Sequence, residues 1–341
     1  MATNGIEYTK PPIAITNRAL QPYELLEAEL ALWIGTTPEK VVACSSGTAA
    51  LHLAMEALEL SSGSSVLVPD YTMIACARAV SLADCCPKFV DCRDDLLMDP
   101  NQVGRQIHNA RAVMAVHIYG RRCDMEAIHE IARDRPVIED MAELHGVKPH
   151  PKTVAACWSF YRNKIVAGEE GGCVAFKHLR QADRARSLRS LGMMQNYQSL
   201  PRGNNYRLAN TLAQIIRKSL LKFSKNTLLR AVVAGWYDQE FSDWIMPPRK
   251  SRWVYDIRIS GLTCCQQNRL VSALNRKGVA ARTGFYPMCK QPEYHDRFDE
   301  EDYPNSVKAS TEVIYLPIQP EMTEQQVVSI CNAVKQEYSH L

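Results

Sequence analysis

Between residues 41 and 176, short apolar runs alternate with stretches whose apolar positions recur at helical spacing. The runs Val66–Pro69, Lys88–Asp91, Ala112–His117, Pro136–Asp140, Ala156–Phe160 and Gly172–Phe176 read as strands buried on both faces. Thr48–Leu58, Met73–Leu82 and Asp124–Arg133 read as the helices between them. Continuous apolar strands separated by helices of about ten residues predict a mostly parallel sheet flanked by helices, an α/β domain. In such a sheet ligands bind beyond the carboxyl ends of the strands. Polar residues at those ends are therefore the ones to question first.

Residues 177–235 read as helical. From about Trp236 the pattern changes to an alternating strand at Trp253–Ile259, a helix at Gln267–Lys277 and a last helix at Thr323–His340, with Pro247-Pro248 near the entrance. The expected organisation is a large domain over 1–235 and a small C-terminal α+β domain over 236–341. No run of about 20 apolar residues appears, which excludes a helical membrane span. The N-terminal residues show no basic region followed by an apolar run, so a cytoplasmic location is expected. The twelve cysteines include the adjacent pairs Cys85-Cys86 and Cys264-Cys265, and none has zinc-ligand spacing. Buried thiols, with neither metal nor disulfide, are the expectation.

The formal charge of +3 hides an asymmetry: Lys177 to Arg230 holds twelve basic residues and one acid, Asp183. A phosphate-bearing ligand or a nucleic acid would suit such a stretch, as would solvated helix faces.

Three local signals carry candidate chemistry. Ser46-Gly47-Thr48 follows the strand-like Val41–Cys44 and opens a helix, where bare N–H groups meet anions; Ser46 also serves as an ordinary N-cap there. Asp140 ends a buried strand, a costly place for a carboxylate unless a cation or donors meet it. Lys164 lies in a loop between two buried strands; it becomes a catalyst only where its surroundings favour the free amine, to which Arg162 nearby would contribute. His52 reads as a satisfied partner on its helix, while His117 and His145 are better placed near Asp140.

The order of these stations matches one family. Ser46–Ala54, Val68–Thr72, Val116–Gly120, Asp124–Ile128, Val137–Gly146, Ser159–Lys164, Glu170–Gly172, Asn205–Asn210, Tyr303-Pro304 and Leu316–Thr323 resemble the DegT/StrS-type, sugar-aminotransferase-like family of fold-type I pyridoxal-phosphate enzymes. The likeness runs over about residues 24–336. It implies the aspartate-aminotransferase-like fold and pyridoxal 5'-phosphate held by Lys164 as a Schiff base, with Asp140 on its pyridine nitrogen. It implies that Ser46, Gly47, Thr48 and Ser159 cradle the phosphate and that Glu143 stands beside the ring. Asn205 and Arg207 match a motif that reaches a neighbour's phosphate, which implies a homodimer with composite active sites. Where the family stacks an aromatic side chain on the ring, this chain aligns Met73, with Tyr71 two residues earlier. The segment before Glu24 lacks the family's glycine-rich entry, and Gly192 to Asn204 is abbreviated.

The resemblance implies an aminotransferase that passes an amino group from glutamate to a keto sugar on a nucleotide. Retention of Lys164 separates the chain from dehydratase-like relatives in which a histidine stands there. The same cofactor also supports decarboxylation, and the basic stretch would suit an amino-acyl-modified nucleic acid as substrate. A non-catalytic scaffold is the third alternative, against which Lys164, Asp140 and the phosphate residues together argue.

Overall fold

The computed structural model describes residues 19–193, 197–242 and 244–341. The N-terminal segment up to residue 18, and residues 194–196 of the abbreviated stretch, lie outside the described residues.

The apolar runs form a seven-stranded sheet: β1 Val41–Cys44, β2 Ser65–Pro69, β3 Cys86–Val90, β4 Ala112–Val116, β5 Val137–Asp140, β6 Ala155–Ser159 and β7 Gly172–Phe176, in the order β1-β7-β6-β5-β4-β2-β3. Only β7 runs against its neighbours, so the sheet is mostly parallel, as the pattern implied. Helices cover it on both faces: α1 Pro22–Ile34, α2 Gly47–Ala57, α3 Ile74–Leu82, α4 Pro100–Gln106, α5 Met125–Ala132 and α6 Leu179–Arg189. From Ala49 to Ala57 α2 is buried at every position, which explains its lack of a polar face. Its N-cap is Ser46, whose Oγ accepts the Ala49 N–H at 3.1 Å. His52 has its Nδ1 3.1 Å from the Tyr206 hydroxyl, while Nε2 stands 3.5 Å from Glu56 without a hydrogen bond, so the residue is only half the satisfied partner its setting suggested.

Two more helices follow, α7 Asn210–Leu221 and α8 Phe223–Glu240. Here the structure departs from a boundary at 235/236, because α8 crosses it unbroken. Its Val233, Ala234 and Tyr237 belong to the small-domain core with Tyr255, Ile257, Leu270 and Ile314. Helix α8 runs on to Glu240, so the change of pattern placed at about Trp236 falls inside a helix and not at its end. The small domain is a three-stranded antiparallel sheet, β8 Tyr255–Arg258, β10 Val313–Leu316 and β9 Arg282–Thr283, in the order β8-β10-β9. It is backed by α9 Cys264–Arg276 and α11 Glu324–Ser339, with α10 Pro304–Glu312 leading into β10.

The basic stretch is largely engaged inside the chain. Arg180 and Arg184 pair with Glu59, Arg217 with Glu29, and Arg202 with Asp84 and Glu56. Arg189 donates to Glu27 at 2.8 Å and to the Ala43 carbonyl at 2.7 Å. Arg186 reaches the Pro38 and Val41 carbonyls, and buried Arg230 reaches those of Trp253 and Ile318. Much of the charge asymmetry along the sequence is thus met by distant acids and carbonyls. Among the described residues no helix is long and apolar enough to cross a membrane. Cys44, Cys76, Cys92, Cys157 and Cys173 are buried as free thiols.

Candidate active site

The carboxyl ends of β1, β5 and β6 converge on a cleft of about 360 Å³, which the small domain covers from the other side. That volume suits a cofactor-sized ligand. From the large domain the cleft is lined by Ser46, Gly47, Thr48, Met73, Asp140, Glu143, Ser159 and Lys164, all expected at the site. From the small domain it is lined by Trp253, Arg282, Phe285 and Tyr315.

At one end stands the first turn of α2. The N–H groups of Gly47 and Thr48 lie where an α-helix has no internal acceptor for them. Gly47 packs on the end of β6 so closely that a Cβ there would sit 2.7 Å from the Ser159 Cβ. Only a residue without a side chain leaves that space as an anion cradle.

Deeper in, Asp140 is 6% exposed and held by two donors. The Ala142 N–H reaches Oδ1 at 2.9 Å, and the Cys76 thiol reaches Oδ2 at 3.2 Å. A buried carboxylate with only a backbone amide and a weak thiol donor retains capacity for a cationic partner.

Lys164 is mostly buried, its Nζ 3.8 Å from Glu143 Oε1 and 3.7 Å from the centre of the Trp253 indole. Burial lowers its pKa, against the pull of Glu143 and Asp140. Burial also raises Glu143 to about 7, with Lys164 and the Tyr119 N–H (2.7 Å from Oε2) opposing. Both shifts have one cause, exclusion of water, and both favour the uncharged forms. Arg162 does not contribute as its proximity in sequence suggested: it is exposed and faces Glu169 at 3.7 Å.

Tyr71 also departs from expectation. It is fully buried outside the cleft, its hydroxyl 3.3 Å from that of Tyr119 and accepting the Phe285 N–H at 3.2 Å. Met73, 54% exposed, is the member of that pair that lines the cleft. His117 touches the cleft, but Nε2 is 2.9 Å from Glu139 and Nδ1 accepts the Cys123 N–H, so both nitrogens are engaged. His145 lies behind the site between Trp33 and Phe160, and burial takes its pKa down to about 3. Asn205 and Arg207 are exposed and line a separate cavity with Tyr23, Arg189 and Asn210, apart from Lys164.

Sequence reasoning missed Cys76, Trp253, Arg282, Phe285 and Tyr315. Trp253 read only as the start of a strand. A usable signal was Asp256, an acid in a short strand between the apolar Tyr255 and Ile257.

The chain is similar along most of its length to characterised proteins. It is 31% identical to GDP-perosamine synthase of Escherichia coli O157:H7, over 86% of this chain and 85% of that protein. It is 29% identical to a UDP-N-acetyl-3-dehydro-alpha-D-glucosamine 3-aminotransferase of Acidithiobacillus ferrooxidans, over 91% and 87%. Among solved structures, S. venezuelae DesV in complex with a ketimine intermediate superposes with a TM-score of 0.85 at 27% identity, covering 96% of this chain and 92% of that one. A Streptococcus pneumoniae protein solved in its PLP form gives 0.87 at 20%, covering 94% and 92%, a likeness of fold alone. The DegT/DnrJ/EryC1/StrS aminotransferase family matches residues 21–335. The chain belongs to that family, and it is a pyridoxal-phosphate-dependent aminotransferase.

Proposed function

We propose that the chain moves an amino group from glutamate to a keto sugar carried on a nucleotide. The observation that carries this reading is the meeting in one cleft of Lys164, Asp140 and the open first turn of α2. The names of the relatives, a GDP-sugar synthase and a UDP-sugar aminotransferase, support the nucleotide-linked acceptor.

Bound pyridoxal phosphate supplies the electron sink that stabilises a carbanion at the substrate carbon. The remaining work falls to the chain. The N–H groups of Gly47 and Thr48, with Ser46 and Ser159, would hold the phosphate against the α2 N-terminus. Asp140 sets a negative charge where a protonated ring nitrogen is to be kept. Met73 lines the cleft and would cover the ring with its polarizable sulfur. Lys164, its free amine favoured by burial, would hold the cofactor through Nζ, and the same amine would take the proton from the substrate carbon. Glu143 Oε1, 3.8 Å away and itself raised to about 7, holds a proton when Nζ is neutral.

Asn205 and Arg207 lie apart from their own chain's Lys164, which supports a homodimer in which they reach the neighbour's phosphate. Buried free thiols support a reducing, cytoplasmic setting. No second reading is favoured: the arginines offered for a nucleic acid are largely paired within the chain.

The test is a half-reaction. Glutamate added to the holoenzyme should bleach the visible absorbance of the bound cofactor, and a nucleotide-linked keto sugar should restore it. An absorbance indifferent to glutamate would end the proposal for the donor; recovery with a free keto sugar alone would end it for the acceptor. Mixing Lys164→Ala with Arg207→Ala chains should recover activity that neither has, if sites are shared between copies.

A further inference from the structure

The small domain touches the catalytic lysine through one aromatic ring, and a buried ion cluster fixes where that ring lies. Asp256, in β8, is wholly inaccessible to solvent. Its neighbours Tyr255 and Ile257 face the small-domain core, so strand alternation turns Asp256 toward the large domain. There Oδ2 lies 2.8 Å from an Arg121 amine and Oδ1 2.7 Å from Arg249 Nε, while the Asp256 carbonyl accepts from Arg249 at 2.5 Å. Arg121 belongs to the loop after β4 and also donates to the Pro247 carbonyl at 3.0 Å. One carboxylate between two guanidinium groups in a dry interface is a costly way to gain stability, which apolar packing supplies as well. What such a cluster gives in return is a single defined placement.

The placement reaches Lys164 along two arms. On the first, Gly120 abuts the segment before β8 at backbone level: Lys250 and Ser251 donate to its carbonyl at 2.8 and 3.0 Å. Its φ is +78°, and any Cβ would stand 1.9 Å from the Ser251 carbonyl oxygen, so this contact tolerates no side chain. The next residue back, Tyr119, donates its N–H to Glu143, which faces Lys164. On the second arm, Trp253 is three residues before Asp256. Its indole N–H donates to the Asn163 carbonyl at 2.8 Å, and its ring centre lies 3.7 Å from Lys164 Nζ.

We propose that Asp256 is a positioning residue: clamped between Arg121 and Arg249, it docks the small domain so that the Trp253 ring is held against the Lys164 amine. The proposal rests on the reading of Lys164 as the cofactor-binding amine. An ammonium over an indole face is stabilised. The ring therefore opposes burial in setting how readily Nζ sheds its proton. The other groups that act on Nζ are Glu143, Asp140 and the Cys76 thiol, with His145 close behind.

The experiment follows cofactor capture rather than turnover. Apo full-length protein is mixed with pyridoxal phosphate across a pH series, and the rise in visible absorbance gives the midpoint at which Nζ becomes reactive. Trp253→Leu should move this midpoint down by about one pH unit, whereas Trp253→Phe, which keeps an aromatic face, should move it less. Asp256→Asn should shift the midpoint in the wild-type background and shift it less in the Trp253→Leu background, because one of its two arms passes through the ring. An unchanged midpoint in folded Asp256→Asn, or an equal shift in both backgrounds, would overturn the proposal. If Asp256→Asn does not fold, Arg249→Met is carried through the same cycle, where the same two outcomes would overturn it. Wild-type protein that captures no cofactor at Lys164 would instead sink the function proposed above, a result distinguishable from either.

Discussion

The two sides of the cleft are built on different principles. The large-domain side carries most of the polar groups and is made of element termini: the first turn of α2, the ends of β5 and β6, and the loop that carries Lys164. Each group there is set by its own element, because a helix N-terminus presents N–H groups and a strand end presents its last side chain wherever the element lies. The small-domain side is mostly aromatic, with Trp253, Phe285 and Tyr315 beside the single guanidinium of Arg282 among the described lining residues. None of these is placed by its own element alone. Tyr119 of the large domain stacks on Phe285 at 5.3 Å and 12° and lies 6.4 Å from Trp253 and 5.7 Å from Tyr315, so the wall is completed only once the domains dock. Chemistry therefore resides on one side, and the shape and dryness that adjust it on the other.

Breaking the first side should cost chemistry outright. Lys164→Ala should lower the rate of amino transfer by about a thousandfold or more, since on the proposed reading it removes both the covalent anchor and the proton carrier. Single-turnover kinetics measures the loss. Borohydride reduction followed by mass spectrometry should find the cofactor attached at residue 164 in the wild type and not in the variant.

Filling the phosphate cradle should come next. Gly47→Ala places a methyl 2.7 Å from the Ser159 Cβ, and relief of such overpacking costs about 1–3 kcal/mol. The expected result is cofactor held roughly ten to a hundred times more weakly, read by equilibrium dialysis. Binding equal to wild type would mean that the α2 turn does not close on the ligand.

The second side should respond more gently. Phe285→Leu removes the ring stacked on Tyr119, an interaction of about 1 kcal/mol. It should raise KM for the acceptor a few-fold while the glutamate half-reaction keeps its rate. Equal effects on both halves would blur the division between the two walls.

The smallest effect is a slope. Burial raises Glu143 from 4.5 to about 7, so between those values the folded chain holds a proton that the unfolded chain has released. Stability from this group is full below about pH 4.5 and declines as pH rises through about 7. Glu143→Gln cannot titrate and should flatten that part of the curve, measured as urea midpoints across the window in the apo protein.

Legibility in the sequence follows the same division. Asp140 stood out because it is a polar residue closing a buried apolar run, Ser46-Gly47-Thr48 because it opens a helix after one, and Ser159 only through the family resemblance. Tyr71 and Met73 could not be ranked, since the two-residue spacing between them does not say which reaches the cleft; Tyr71 turned inward to Tyr119 and Phe285. Arg162 sat two residues from Lys164 yet points to solvent and Glu169, because sequence proximity in a loop carries no direction. The basic stretch looked like a binding surface until Glu27, Glu29 and Glu59, more than a hundred residues away, were found beside it.

By itself, then, the sequence determined the mostly parallel α/β sheet and the stations along it, because apolar periodicity and element termini are local properties, and the order of those stations carried the resemblance that implied the polar half of the site. Only the tertiary structure decided that Trp253 rests on Lys164, that Cys76 donates to Asp140 and that Asp256 joins two domains. Those contacts join residues 64 to 135 positions apart, and nothing local records them: they arise when separately formed surfaces exclude water from the same place.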